Sequence, residues 1–295
     1  MQENCFKEAY KTKLLETFDF ISDYLNRHNF NWWGAYGTCI GAVRHNGLIP
    51  WDDDIDIYLP RSDYEKLIDL REDVKGYGFD LLSAHNNGCD SVYYKICNIS
   101  TSLVEDRLIP YNTGVFIDIF PLDYYDGTTR QFNRLHDSYR RWSRLYKFLC
   151  MQPSPKETIK QLKMLDMAKF IKSSTRQLAP KFLNKLSMSQ ILKIEKKIVN
   201  TNEEKNIASF CGRYGIKELF ETRWFNGYEL MDFEERKMRV PLMFHEYLSH
   251  VYGDYMKCPD VIPESTHAQY YVNLKERINI DEINKRVKMK VRKEW

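Results

Sequence analysis

Apolar residues recur at steps of three and four through Phe6, Tyr10, Leu14, Phe18, Ile21 and Leu25, the spacing of an amphipathic helix. His28-Asn29 should close it. Phe30–Tyr36 is aromatic and strand-like, then Gly37-Thr38 turns the chain into a short apolar run, Cys39–Val43, and Asn46-Gly47 marks a second turn. Charged and apolar residues alternate over Asp54–Leu59, which predicts a strand ended by Pro60. Ser62-x-x-Glu65 has the form of a capping box for a helix reaching Leu70. Beyond Gly76 and Gly78, three strands are expected at Phe79–Ser83, Ser91–Cys97 and Val115–Phe120. No long crossovers separate them, so some pairing should be antiparallel. The predicted fold class is α/β of the α+β kind: a mixed sheet flanked by helices.

After Asp126-Gly127 the pattern changes. Phe132, Leu135, Tyr139, Trp142, Leu145 and Leu149 mark a long amphipathic helix, with Arg130, Arg134, Arg140, Arg141, Arg144 and Lys147 on its other face. Lysine-rich helical stretches continue to about Val199. Aromatic strand-like segments, a helix over Met243–Tyr252 and an irregular tail follow. The expected organisation is a catalytic core over 1–127, a basic helical insertion over 128–200, and a C-terminal segment, 201–295, that completes the catalytic domain.

Composition narrows the class without deciding the chemistry. Apolar residues make up 43% of the 295-residue chain and charged residues 29%, enough for a substantial core and unlike a disordered chain. A formal charge of only +3 gives no global pull toward nucleic acid. Seven scattered cysteines with no C-x-x-C pair suggest neither a disulfide framework nor a zinc knuckle, and a reducing compartment is the simpler reading. No window reaches the roughly 18–20 apolar residues that span a bilayer. The expectation is a cytoplasmic protein, with peripheral contact at the inner face of the cell membrane where the basic helix meets an anionic leaflet; a solvated face is the plainer reading of that helix.

The chemistry centres on Asp52-Asp53-Asp54-Ile55-Asp56. On a strand, Asp54 and Asp56 share a face. Two crowded carboxylates are tolerable when a divalent cation neutralises both, and hard oxygen ligands suit Mg²⁺ or Mn²⁺. Asp118 lies among apolar neighbours in Val115–Phe120, where an unpaired charge is costly. Gly37, Gly41 and Gly47 would let backbone N–H groups approach phosphate oxygens. A glycine turn, paired carboxylates and a lone carboxylate on a later strand make the layout of a nucleotidyltransferase-fold site. A solvated acidic loop is the alternative for the cluster alone.

The run from Tyr36 to Asp56, with Gly37-Thr38, Gly41, Arg44, Asn46-Gly47 and Pro50-Trp51-Asp52-Asp53-Asp54-Ile55-Asp56, resembles the signature of the LicD family. So do Pro60–Glu65, Tyr94-Lys95-Ile96, Gly114–Asp123, Val240-Pro241, Tyr247-Leu248 and Tyr252–Met256. The resemblance covers roughly 5–125 and 224–270, and fukutin-type ribitol-phosphate transferases look like distant relatives. It implies a nucleotidyltransferase fold that moves phosphocholine, or a similar phospho-headgroup, from a CDP- or CMP-activated donor to a glycan, with a lipid-linked acceptor expected. It also implies Asp54, Asp56 and Asp118 as metal-binding and catalytic residues, Gly37 and Thr38 on the phosphate-facing turn, and Lys95 as a partner of the donor diphosphate; Arg44 is a further donor-binding candidate. Two stretches depart from the family pattern: Phe233-Glu234-Glu235-Arg236 stands where Phe-Glu-Gly is usual, and Lys257-Cys258-Pro259 replaces paired prolines.

His45 is expected to be structural and Trp51 to pack against the site wall, and His267 lacks identifiable partner ligands. With 20 Tyr and 6 Trp an aromatic cage for a quaternary ammonium is possible, whereas an ethanolamine or aminoethylphosphonate headgroup needs N–H acceptors. The competing functions are a nucleotidyltransferase adding NMP to a small molecule and a catalytically silent glycan-binding protein.

Overall fold

The computed structural model describes residues 2–86, 88–106, 108–151, 181–199, 204–259 and 269–293, with isolated positions 167, 171 and 174. His267 and most of the stretch between 152 and 180 lie outside the described residues. The fold is mixed α/β, built on a mixed sheet.

Helix α1 spans Gln2–Arg27. It buries Leu14, Phe18, Ile21, Tyr24 and Leu25 against the sheet and ends where Asn29 adopts φ 57°. The expected strand over Phe30–Tyr36 shrinks to β1, Trp33–Gly34. Tyr36, at φ 44°, turns the chain into a short helix, α2, Tyr36–Ile40, prolonged as a wider π-type turn through His45. Strand β2 is Asp56–Pro60, so Asp54 belongs to the extended segment before it. Helix α3, Arg61–Asp69, starts directly at Pro60, and no side chain caps its first turn. Ser62 is exposed inside the helix, and the expected capping box does not form. Buried Asp63 instead accepts the Asn31 backbone N–H at 2.8 Å, tying α3 to the start of β1.

Helix α4 (Arg71–Gly76) leads into β3 (Phe79–Leu82), β4 (Tyr94–Asn98), a short β5 (Ser102–Val104) and the ten-residue β6 (Phe116–Tyr125). The sheet order is β1-β2-β6-β4-β3. β2 runs parallel to β6, while β4 runs antiparallel to it, as the missing crossovers required. From the C-terminal part, β7 (Asn206–Ala208) pairs with the far end of β6, and β8 (Leu219–Glu221) adds to β7.

Thr128 and Gln131 cap helix α5, Thr129–Cys150, reciprocally, a signal present in the sequence that the hydrophobic pattern alone passes over. α5 packs along α6, Lys181–Ile198, around Phe132, Tyr139, Ile191, Ile194 and Phe210. The hairpin of β9 (Tyr228–Phe233) and β10 (Arg236–Pro241) covers β1. Helix α7 (Phe244–Tyr252) places Tyr247 among Tyr58, Phe220 and Phe225. The expected irregular tail instead holds β11 (Tyr271–Asn273), paired with β5, and α8 (Ile280–Lys293). Ile278 and Ile283 bury against Val104 and Ile109.

Candidate active site

Strand register places the charged residues. Asp56 on β2 stands opposite Asp118 on β6, and Asp118 stands opposite Lys95 on β4. Residues paired across adjacent strands project from one face. Three neighbouring strands therefore carry Asp56, Asp118 and Lys95 in a row across the sheet.

Lys95 Nζ donates to Asp118 Oδ1 at 2.8 Å and lies 3.5 Å from the centroid of the Phe116 ring. Both charged groups are buried. Burial works against the Lys95 charge, but Asp118, with Tyr93 and Glu105 adding to it, outweighs that and holds the ammonium well above its usual range. The Asp118 carboxyl is raised by burial, with Lys95 pulling the other way and Asp54 and Glu105 pushing up. Tyr93 donates its hydroxyl to Asp118 Oδ2 at 3.3 Å. Asp56 is raised well above the usual carboxylate range, first by desolvation and then by Asp54, Asp118 and Asp52. The three predicted acids thus come within electrostatic reach of one another.

Crowded hard-oxygen groups, offset by Lys95 and at Asp56 also by Arg213, have the donor chemistry of a Mg²⁺ or Mn²⁺ site. Among the described residues, no three His, Cys, Asp or Glu side chains stand in ligating geometry; Asp118 is turned to Lys95 and Tyr93. The donor set fits a divalent cation by its chemistry, with the ligating arrangement not assembled.

The glycines of the turn serve close backbone approach. The Gly41 N–H bonds back to the Gly37 and Thr38 carbonyls, and the Gly47 N–H to the Gly41 carbonyl at 3.2 Å. A Cβ at Gly41 would collide with the Gly47 carbonyl oxygen, and one at Gly37 would lie 2.5 Å from Asp52 Oδ2. These glycines let two backbone segments and one carboxylate close up. The buried Thr38 Oγ1 accepts the Asp56 N–H at 2.8 Å, which fixes the start of β2 and so positions Asp56. Arg44 is directed to the C-terminal segment, donating to the Tyr255 carbonyl at 2.5 Å and to His45 Nε2 at 2.9 Å. His45 meets Trp51 edge to face, consistent with packing roles for both.

A buried network backs α2. Tyr36 receives the Tyr247 hydroxyl as acceptor for its N–H at 2.9 Å, and its own hydroxyl donates to Glu218 Oε2 at 2.9 Å. Burial pushes the Glu218 carboxyl up to about 7 against these hydrogen bonds.

A cavity of about 500 Å³ opens beside the row, reaching Lys95, Asp118, Tyr93 and Glu105 and, on the opposite wall, Arg140, Arg144 and Lys147 of α5. Sequence reasoning missed Tyr93, Glu105 and Asp90. Tyr93 had a signal, since it stands two residues before Lys95 in the strand expected over Ser91–Cys97, although it precedes β4 itself; Glu105 and Asp90 come from connecting segments without one.

Residues 29–171 match the family model described as LicD/FKTN/FKRP, nucleotidyltransferase domain. The chain carries a LicD-family domain. Over 282 residues it is 25% identical to the lipopolysaccharide cholinephosphotransferase LicD of Haemophilus influenzae, covering 88% of this chain and 93% of that protein. Uncharacterized proteins of Rickettsia prowazekii and Rickettsia typhi are each 41% identical over 54 residues, 17% of this chain and 20% and 18% of theirs. The LicD-domain match contains all three strands of the charged row, together with α5. Among the described residues, no helix is long and apolar enough to cross a membrane.

Proposed function

We propose that this chain transfers a phospho-headgroup, phosphocholine or a close analogue, from a CDP- or CMP-activated donor to a hydroxyl of a cell-surface glycan or its lipid-linked precursor. The family match and the identity to a cholinephosphotransferase support a transferase. The observation that carries the reading is the register that sets Asp56, Asp118 and Lys95 side by side.

Asp54, Asp56 and Asp118 would hold Mg²⁺ or Mn²⁺, which when bound offsets phosphate charge and acidifies a coordinated hydroxyl. Lys95, fixed by Asp118 and Phe116, supplies a cation to phosphate oxygens at the cavity floor. No described residue hydrogen-bonds the Asp56 carboxylate, whereas Asp118 already accepts from Lys95 and Tyr93. Asp56 is therefore the carboxylate with free capacity to take the acceptor hydroxyl's proton. Thr38 holds Asp56 in place through the strand amide.

The test incubates the protein with Mg²⁺, a crude glycan extract and CDP-choline, CDP-ethanolamine, CMP-aminoethylphosphonate or NTPs, following CMP and pyrophosphate. Donor-dependent CMP release is expected, lost by about a thousandfold or more in Asp56→Ala. Mg²⁺ should raise the Tm of the wild type but not of Asp56→Asn. Pyrophosphate release from NTPs would favour NMP transfer, and unchanged turnover in Asp56→Ala would remove the carboxylate assignment.

A further inference from the structure

The six basic residues of α5 divide into two groups. Arg140, Arg144 and Lys147, spaced i, i+4, i+7, lie along one line of a helix and border the cavity that holds Lys95 and Asp118. Arg130, Arg134 and Arg141 are exposed and do not border it. The helix has little freedom to rotate the stripe away. Its apolar side is anchored by Phe132, Tyr139 and Tyr146 in their own core, by the Tyr139 hydroxyl donating to Glu195 at 2.9 Å, and by His136 against the Gly212 carbonyl at 3.0 Å.

The stripe is poorly neutralised by the protein itself. Lys147 Nζ stands 3.7 Å from Asp90 Oδ2, beyond hydrogen-bond length, and that buried oxygen has no hydrogen-bond partner. Arg140 and Arg144 make no ion pair within 4 Å among the described residues, although Arg140 acts at longer range on the Glu218 carboxyl. The concave site, about 500 Å³ in volume, also carries Asp90, Glu105, Asp106 and Asp118 on its lining, but along the α5 wall it presents two guanidinium groups and an ammonium, which suit an anion with several oxygens in a line. Guanidinium groups pair such oxygens two at a time.

We propose that Arg140, Arg144 and Lys147 form a diphosphate-binding wall, gripping the diphosphate of the nucleotide-activated donor across the cavity from Asp118. The inference rests on the transferase reading for the identity of that donor, but the chemistry of the wall is that of a diphosphate from any source. It reassigns half of the basic face from solvent or membrane to substrate. Lys95 and the stripe then hold the diphosphate from opposite sides.

The basic residues of the helix that do not border the cavity supply an internal control. Calorimetric titration of the full chain with inorganic pyrophosphate and with CDP-choline should show affinity weakened about tenfold to a hundredfold in Arg144→Gln/Lys147→Gln. It should stay unchanged in Arg134→Gln/Arg141→Gln, a pair matched in charge. The salt dependence of binding should flatten only in the first pair. In parallel, each protein is sedimented with phosphatidylcholine vesicles containing phosphatidylglycerol. Wild-type affinity for both probes in the cavity-side variant, or equal loss in both variants, overturns the proposal. So does loss of vesicle binding confined to the cavity-side variant while pyrophosphate still binds, because the stripe would then serve lipid headgroups. Should CDP-choline yield no CMP, the pyrophosphate titration still reads the wall; should CMP release persist with unaltered binding in the cavity-side variant, the wall falls and the transferase reading stands.

Discussion

Two sets of charges meet at one cavity, the strand-borne row through Lys95 and Asp118 and the helix-borne stripe through Arg140, Arg144 and Lys147, and they are built on opposite terms. The strand-borne row of Asp56, Asp118 and Lys95 is set by backbone register, and its Lys95–Asp118 pair is buried with side chains only 6% and 7% exposed. The helix-borne stripe of Arg144 and Lys147 is exposed and rooted by the opposite face of α5. A buried pair removes two ions from water and must be completed by its own partners for the fold to tolerate it. Exposed cations keep their hydration until a ligand displaces it, and they add little to stability. The row is therefore coupled to folding, and the stripe to binding.

The strongest way to break this contrast is Lys95→Met, which removes the ammonium over Phe116 and leaves Asp118 as an uncompensated buried charge. A loss of about 3–5 kcal/mol is expected in urea denaturation, most of it recovered in Lys95→Met/Asp118→Asn. Arg144→Met should stay within about 0.5 kcal/mol of wild type. Equal effects at the two positions would dissolve the distinction.

A smaller effect sharpens the strand side through Glu218, which backs α2. Its carboxyl stands at about 7 in the fold against an ordinary value of 4.5, so the folded state binds the proton more tightly. Stability is then fully present below about pH 4.5 and is lost as pH rises toward 7, by about 2–3 kcal/mol for this group. Denaturation midpoints measured across that window should decline more steeply in the wild type than in Glu218→Gln. Matching profiles would show that Glu218 is not the titrating group.

The smallest effect lies at the hairpin that covers β1. Glu234 and Glu235 both have positive φ, 49° and 62°, the backbone of a tight primed turn that favours glycine. Glu235 is where the family pattern carries glycine. Glu234 has other employment: its carboxylate accepts the Leu48 N–H at 3.0 Å and pairs with Lys11 at 2.7 Å, bracing the Asn46–Leu48 turn. Glu235→Gly should raise stability by about 1 kcal/mol, read as a higher urea midpoint with an unchanged slope, whereas the same change at Glu234 should not.

Much of the fold was legible because burial enforces periodicity. Leu14, Phe18, Ile21 and Leu25 face the sheet, so their spacing betrays α1, and Ile57 and Leu59 recur at every second position of β2, where Tyr58 between them is buried too. Helix α8 had a signal of the same kind in Ile280, Ile283 and Val287, obscured by the surrounding lysines and arginines. The capping box at Ser62 misled because Asp63, the next residue, was already committed to Asn31, a partner distant in sequence. The contacts of Arg44 with Tyr255 and of Thr38 with Asp56 were not legible, because spacing cannot supply such neighbours.

The sequence by itself determined the acidic strand, the glycine-spaced turn before it, the later Asp118 and the two-faced character of α5. Local sterics and hydrophobic period act over a few residues and leave their mark in the order of residue types. The tertiary structure alone decided that Asp118 faces both Asp56 and Lys95, and which three cations of α5 look into the cavity. Strand register and helix rotation are fixed by the packing of segments far apart in the chain, where a one-residue slip moves every side chain to the other face.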